Sequence, residues 1–209
     1  MRPPALGPET AGTRERLLAA TRELIEGGGY AAASVAAIAD RAGVAAGTLY
    51  LHFPSKAQLF LEVFHAVARR DIEAMYLAAE QAPSATERLD AVVGTYARRA
   101  LERPRLAWAL VHEPVDPLVD AERLAYRREY RDGIAVLLRE GMSIGEFPEQ
   151  DTALPAAAIV GIIAETLVGP LSPVTGETTA REEVVAVIVA LCRRVAGAAE
   201  PGLPRQHVE

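Results

Sequence analysis

Four side chains between positions 48 and 56 have types and spacing that suit one chemistry: Thr48, Tyr50, His52 and Lys56. A hydroxyl, a phenol, an imidazole and an ammonium can all bind phosphate oxygens. Such contacts fix a protein element against a nucleic-acid backbone without reading its sequence. The stretch that must position them runs from Ser34 to Lys56 and reads as two short helices joined by a tight turn.

The local chemistry of that stretch is consistent from end to end. Ser34 is placed to N-cap the first helix, its hydroxyl accepting from an amide two or three residues on. Val35, Ile38, Ala39 and Ala42 then recur at helical spacing and form one apolar face. Gly43 stands where the first helix must stop, because glycine takes the left-handed C-terminal conformation without steric cost. Val44 plugs the corner, and the second helix is expected from about Ala45 to Leu51 with Leu49 turned inward. Pro54 ends it, since the residue before a proline avoids the α region. Ser55 caps a third helix. This is a helix-turn-helix reading.

The run G-T-L-Y-L-H-F-P-S-K resembles the DNA-binding signature of the TetR family of bacterial regulators, as does the preceding T-R-E-R-L-L-A-A-T-R-E-L-I-E-G-G-G-Y. Together they cover roughly Thr13 to Phe60, about a quarter of the chain. The resemblance implies that Thr48, Tyr50, His52 and Lys56 meet DNA phosphates, with Ser34 and Arg41 as further contacts. Base readout falls to Ala45, Ala46 and Gly47, where many relatives carry larger polar residues. Alanine touches a thymine methyl and glycine permits close approach, but neither makes bidentate bonds. Methyl contacts and DNA shape are then the expected sources of specificity.

Composition narrows the classes. The chain has 209 residues, half of them hydrophobic, enough for one or two domains with a real core. No apolar run reaches the length of a membrane span. The first residues lack a charged-then-apolar pattern, so the expected location is the cytoplasm. The single cysteine, Cys192, agrees with a reducing compartment. His52, His65, His112 and His207 show no metal-ligand spacing, and no Gly-rich phosphate loop or nucleophile elbow is present, so neither metal nor cofactor is expected. Net charge is −6, yet residues 1–56 hold six basic and five acidic side chains, a balance of +1. An acidic remainder orients the less acidic end toward DNA.

The rest of the chain reads as helices throughout. The expected organisation is all-α: an arm and three-helix DNA-binding domain over 1–56, then a helical ligand-binding and dimerisation domain over 57–209. Helix 1 is expected over about Thr13–Glu26, ended by Gly27-Gly28-Gly29. A long helix from Ser55 to about Ala79 belongs to both halves. Further helices are expected at about Thr86–Leu101, from Pro104, from Asp120 to Met142, at Asp151–Leu167 and at Thr179–Ala199. Residues 1–12 and those after Pro201 are expected to be a loose arm and tail, and in this family such arms sometimes reach the minor groove, here through Arg2.

By resemblance, the C-terminal half holds a small-molecule pocket. Its candidates are Tyr96, Trp108, His112, Tyr126, Arg127, Tyr130 and Glu165, aromatic walls with a few polar groups that suit an amphipathic ligand. The last two helices are apolar nearly all round, which requires burial on both flanks. Ala157, Gly161 and Ala164, with Val184, Ile188 and Leu191, are therefore the expected seam of a homodimer. The implied function is a transcriptional regulator, most often a repressor in this family, released from double-stranded operator DNA by a small, largely apolar ligand. The alternatives are a helical enzyme with His112 and Glu113 as acid and base, or a lipid-binding protein. Neither enzymatic chemistry nor membrane insertion is expected.

Overall fold

The computed structural model describes residues 8–113, 116–174 and 180–198, with side chains from residue 12. Regular structure among these residues is entirely helical. The order is α1 (Pro8–Ala32), α2 (Val35–Ala42), α3 (Ala46–His52), α4 (Lys56–Glu80), α5 (Ala85–Glu102), α6 (Pro104–Val111), α7 (Pro117–Ser143), α8 (Ala153–Thr166), α9 (Val168–Leu171) and α10 (Arg181–Ala196). The expected arm and tail, Arg2 included, lie largely outside the described residues, although residues 8–12 already belong to α1.

Two boundaries differ from the sequence reading for physical reasons. Helix 1 does not end at Glu26: helical geometry continues through Gly27 and Gly28, and the break falls at Gly29, with φ 76° and ψ −173°. The expected helix 151–167 is broken. α8 closes at Thr166, whose hydroxyl turns back to the Ile162 carbonyl at 2.6 Å, and the short α9, which contains Pro170, follows.

The chain packs as two compact units, Met1–Arg69 with Arg103–Glu122, and Arg70–Glu102 with Arg123–Glu209. A division at residue 56 does not coincide with them. In the first unit, α6 lies on α1 and α2 packs on both α1 and α3. Leu17, Ile25, Ile38, Leu49, Phe53, Leu59 and Phe60 are fully buried there. Thr21, the only buried polar residue of the described set, donates to the Leu17 carbonyl at 2.7 Å, so its hydroxyl carries no desolvation debt.

In the second unit, α10 packs on α5 and α8, and α9 on α5. Its core includes Leu89, Val93, Leu138, Ile159, Leu167, Ile188 and Cys192. Two loops are pinned by specific bonds. Glu146 accepts from the Ala85 and Thr86 amides and from the Thr86 hydroxyl, at 3.1, 2.9 and 3.0 Å, capping α5. Gln150 donates to the Ala196 carbonyl at 2.9 Å, closing the end of α10 beside Gly197, which is left-handed at φ 70°. Burial first, and Asp90 second, push the Cys192 thiol up to about 12, so it is an inert core residue.

Candidate nucleic-acid interface

The α2–α3 unit forms from local rules. Ser34 Oγ accepts from the Ala37 amide at 3.1 Å, and Gly43 sits at φ 67°, ψ 41°, its amide donating to the Ala39 and Asp40 carbonyls. Ile38, Ala39 and Ala42 are buried, and Leu49 and Phe53 drop into the same core with no exposed surface. This leaves one side of α3 open. Ala45, Ala46, Gly47, Tyr50 and Leu51 are exposed, and Thr48 is half-buried. Leu51, which the sequence reading passed over, is 82 % exposed. No periodicity in so short a helix separates it from a core leucine.

The polar candidates divide. Arg41 at the end of α2 pairs with Glu23 at 3.0 Å, both side chains being more than half exposed. His52 is half-buried, and its Nδ1 is buried with no hydrogen-bond partner. Lys56 turns inward: its Nζ donates to the Tyr30 carbonyl at 3.0 Å and lies 3.7 Å from the centre of the Tyr30 ring. Burial is the main influence on this ammonium and lowers its pKa, with Glu113 opposing. The structure thus gives Lys56 an internal partner that sequence spacing did not suggest.

That contact belongs to a larger joint at the end of α1. Arg105 Nη2 of α6 donates to the Gly28 carbonyl at 2.9 Å, and Glu113 Oε2 accepts from the Tyr30 amide at 3.1 Å. The Tyr30 ring packs edge-on against Phe60 at 5.0 Å. The positive φ at Gly29 makes this position one for glycine, and a Cβ here would also meet the side-chain ends of Arg105 and Glu113 at 2.8 Å and displace them from their bonds. Glu113 therefore has a fixed structural task. That departs from the acid/base role the enzyme alternative required of it. Arg14 of α1 adds an ion pair to Glu62 and a guanidinium 5.0 Å from the Phe53 ring.

The seven ligand candidates do not lie in one unit. Trp108 and His112 stack at 5.0 Å in the first. In the second, Tyr130 packs against Tyr96 at 5.7 Å and Tyr126 at 6.5 Å. Burial, then Asp71, push the Tyr96 phenol up to about 12 despite Arg127 nearby, and burial raises Tyr130 further. Both remain protonated donors at neutral pH. Arg99 holds Asp71 at 2.6 Å. Glu165 and Arg127 themselves are exposed.

Of the dimer candidates, Ala157 and Gly161 are exposed, and Ala164, Val184 and Leu191 are half-buried. Ile188, also expected at the seam, lies in the buried stripe Val185, Ile188, Cys192 and Ala196 of α10. The outward apolar residues that sequence reasoning did not select are Leu154, 76 % exposed, and Val187, 53 % exposed. A shallow groove of about 340 Å³ between α5 and α10 is lined by Asp90, Ala91, Arg98, Glu182, Val185, Ala186 and Val189. No helix among the described residues is long and apolar enough to cross a membrane.

Comparison with known proteins follows this anatomy. Residues 17–63 match the family profile of bacterial regulatory proteins, tetR family, and residues 82–167 match the tetracyclin repressor-like C-terminal domain. The chain is similar to the HTH-type transcriptional repressor KstR of Mycobacterium tuberculosis (strain ATCC 25618 / H37Rv), 32% identical over 66% of this chain and 61% of the relative. It thus spans less than two thirds of that relative's length. A fatty acid metabolism regulator protein of Bacillus subtilis (strain 168) is 28% identical over 73% of this chain and 80% of the relative. Among solved structures, the transcriptional regulator FadR from Bacillus subtilis in complex with stearoyl-CoA superposes with a TM-score of 0.72 at 24% identity, covering 89% of this chain and 99% of the other.

Proposed function

The chain belongs to the TetR family of bacterial regulatory proteins, and on that premise we propose that it is a DNA-binding repressor relaxed by a small, largely apolar effector. One observation carries the reading. A capped α2 and a left-handed Gly43 hold α3 so that Leu49 and Phe53 are buried while Ala45, Ala46, Gly47 and Tyr50 face outward. A small, smooth helix face of this kind fits the major groove closely. Ser34, Arg41, Thr48 and His52 flank it as phosphate contacts. The repressor named among the relatives supports the sign of regulation.

Two copies, joined through α8 and α10, would set two recognition helices about 34–36 Å apart on one face of the duplex. The effector proposed for first trial is a long-chain acyl-CoA, whose acyl chain would supply the apolar part and whose coenzyme A part is polar and anionic, because a protein of the same fold is found with stearoyl-CoA. The half-buried, protonated phenols of Tyr96 and Tyr130 offer hydrogen-bond donors for such a ligand. The expected location is the cytoplasm, where both DNA and acyl-CoA reside. The role is recognition rather than catalysis.

The test uses the full chain and duplex DNA from upstream of its own gene. A sequence-selective complex is expected, weakened by stearoyl-CoA. Linkage requires operator DNA to weaken ligand binding by the same factor, read through the fluorescence of Trp108, the single tryptophan. No selective complex with any duplex sinks the regulator. A ligand of equal affinity with and without operator sinks the switch.

A further inference from the structure

Leu51 is the anomaly of the DNA-binding head. Isolated exposed leucines are ordinary, but this one is not isolated. It is 82 % exposed on a helix whose other leucine, Leu49, is fully buried, and Tyr50 beside it is 58 % exposed. Gly47, one turn earlier on the same side, is also open: a Cβ built there would meet nothing within 4 Å. Ala46 extends the surface. Ala46, Gly47, Tyr50 and Leu51 are thus the exposed residues of α3, with the half-buried Thr48 and His52 beside them and open space at Gly47 one turn before Leu51.

We infer that Leu51 is a specificity-determining residue that reads thymine by its C5-methyl group. The inference rests on the proposed DNA-binding role. The chemistry selects the occupant. In the major groove, guanine, adenine and cytosine are marked by hydrogen-bonding edges, and thymine alone adds a methyl group. An aliphatic side chain discriminates by burying that methyl against itself. The missing side chain at Gly47 lets the base edge approach, and Leu51 supplies the apolar wall that Ala45, Ala46 and Gly47 are too small to supply. Removing one buried methyl should cost about fourfold in affinity per half-site.

The experiment first selects operators from a random duplex pool with the full-length protein. Each thymine of the selected half-site is then replaced by deoxyuridine, which removes the methyl and leaves pairing intact. The unmutated protein should lose about fourfold per half-site at one or two positions. In Leu51→Ala that penalty should disappear while binding at low salt persists. Leu51→Gln should shift the selected base at the same position toward adenine, the partner of a bidentate amide. Because Leu51 supports no core contact, circular dichroism should match the parent in both variants. An equal deoxyuridine penalty in parent and Leu51→Ala overturns the inference and leaves the regulator standing. Failure to enrich any duplex overturns both.

Discussion

Lys56 and Tyr30, 26 positions apart, form one structural unit: the ammonium donates to the Tyr30 carbonyl at 3.0 Å and covers the Tyr30 ring at 3.7 Å. The bond ties the first residue of α4 to the end of α1, and α2 and α3 lie between them in the chain. Tyr30 is also held by Glu113 through its amide and by Phe60 through its ring. The angle at which α3 is presented therefore depends on a residue whose charge looked, by spacing, like a phosphate ligand.

Lys56→Met should lower stability by about 1–3 kcal/mol, the scale of a charge-assisted hydrogen bond with a cation–π contact. Thermal unfolding measures it. A lysine bound to phosphate contributes about 0.9 to the log–log salt slope of DNA binding. With Lys56 directed at Tyr30, the slope should change by much less than that. A full loss per subunit together with unchanged stability would assign Lys56 to the DNA instead.

Neighbouring glycines should respond with opposite signs. Gly29→Ala imposes a Cβ on a positive φ and into Arg105 and Glu113, and should destabilise by about 2–3 kcal/mol. Gly27 is helical and exposed, and a Cβ there meets nothing within 4 Å. Gly27→Ala should therefore stabilise by about 0.5–1 kcal/mol. Urea unfolding of the pair gives both values, and two changes of the same sign would contradict the joint described at the end of α1.

Glu146 links stability to pH. Burial tends to raise its pKa, but the Thr86 and Ala85 amides, the Thr86 hydroxyl and Arg88 outweigh that and hold it below the ordinary 4.5. A depressed folded-state pKa means that the stabilisation is complete above the unfolded value and is lost as pH falls through the folded one. Glu146→Gln should cost about 1 kcal/mol at pH 7, the scale of a helix cap. The gap to the parent should close below the carboxylate range. A gap independent of pH would remove the charge from the explanation.

Gly161→Arg tests the proposed dimer seam without touching the protomer, because Gly161 is exposed and a Cβ there meets nothing within 4 Å. Sedimentation should show dimers for the parent and monomers for the variant, with helical content unchanged. Leu154 and Val187, both outward and apolar, should show the same effect when replaced by aspartate. A monomeric parent refutes the seam.

What the sequence determined alone is what short-range chemistry controls. The Ser34 cap, the left-handed Gly43 and the inward turn of Leu49 were all legible because each acts within a few residues. Helix order was legible for the same reason, since apolar periodicity needs no partner to be recognised. The tertiary structure decided which face each residue meets. Lys56 found Tyr30 because α1 and α4 converge, and Glu113 became a main-chain acceptor because α6 lies on α1. Trp108 joined the first unit while Tyr96 and Tyr130 joined the second, although all three read alike as aromatic wall. On α10, valine and isoleucine cover so much of the circumference that composition could not tell Ile188, buried, from Val187, exposed. A helix supplies its own hydrogen bonds from its own sequence, but the side chain that fills a neighbour's groove is chosen by the neighbour.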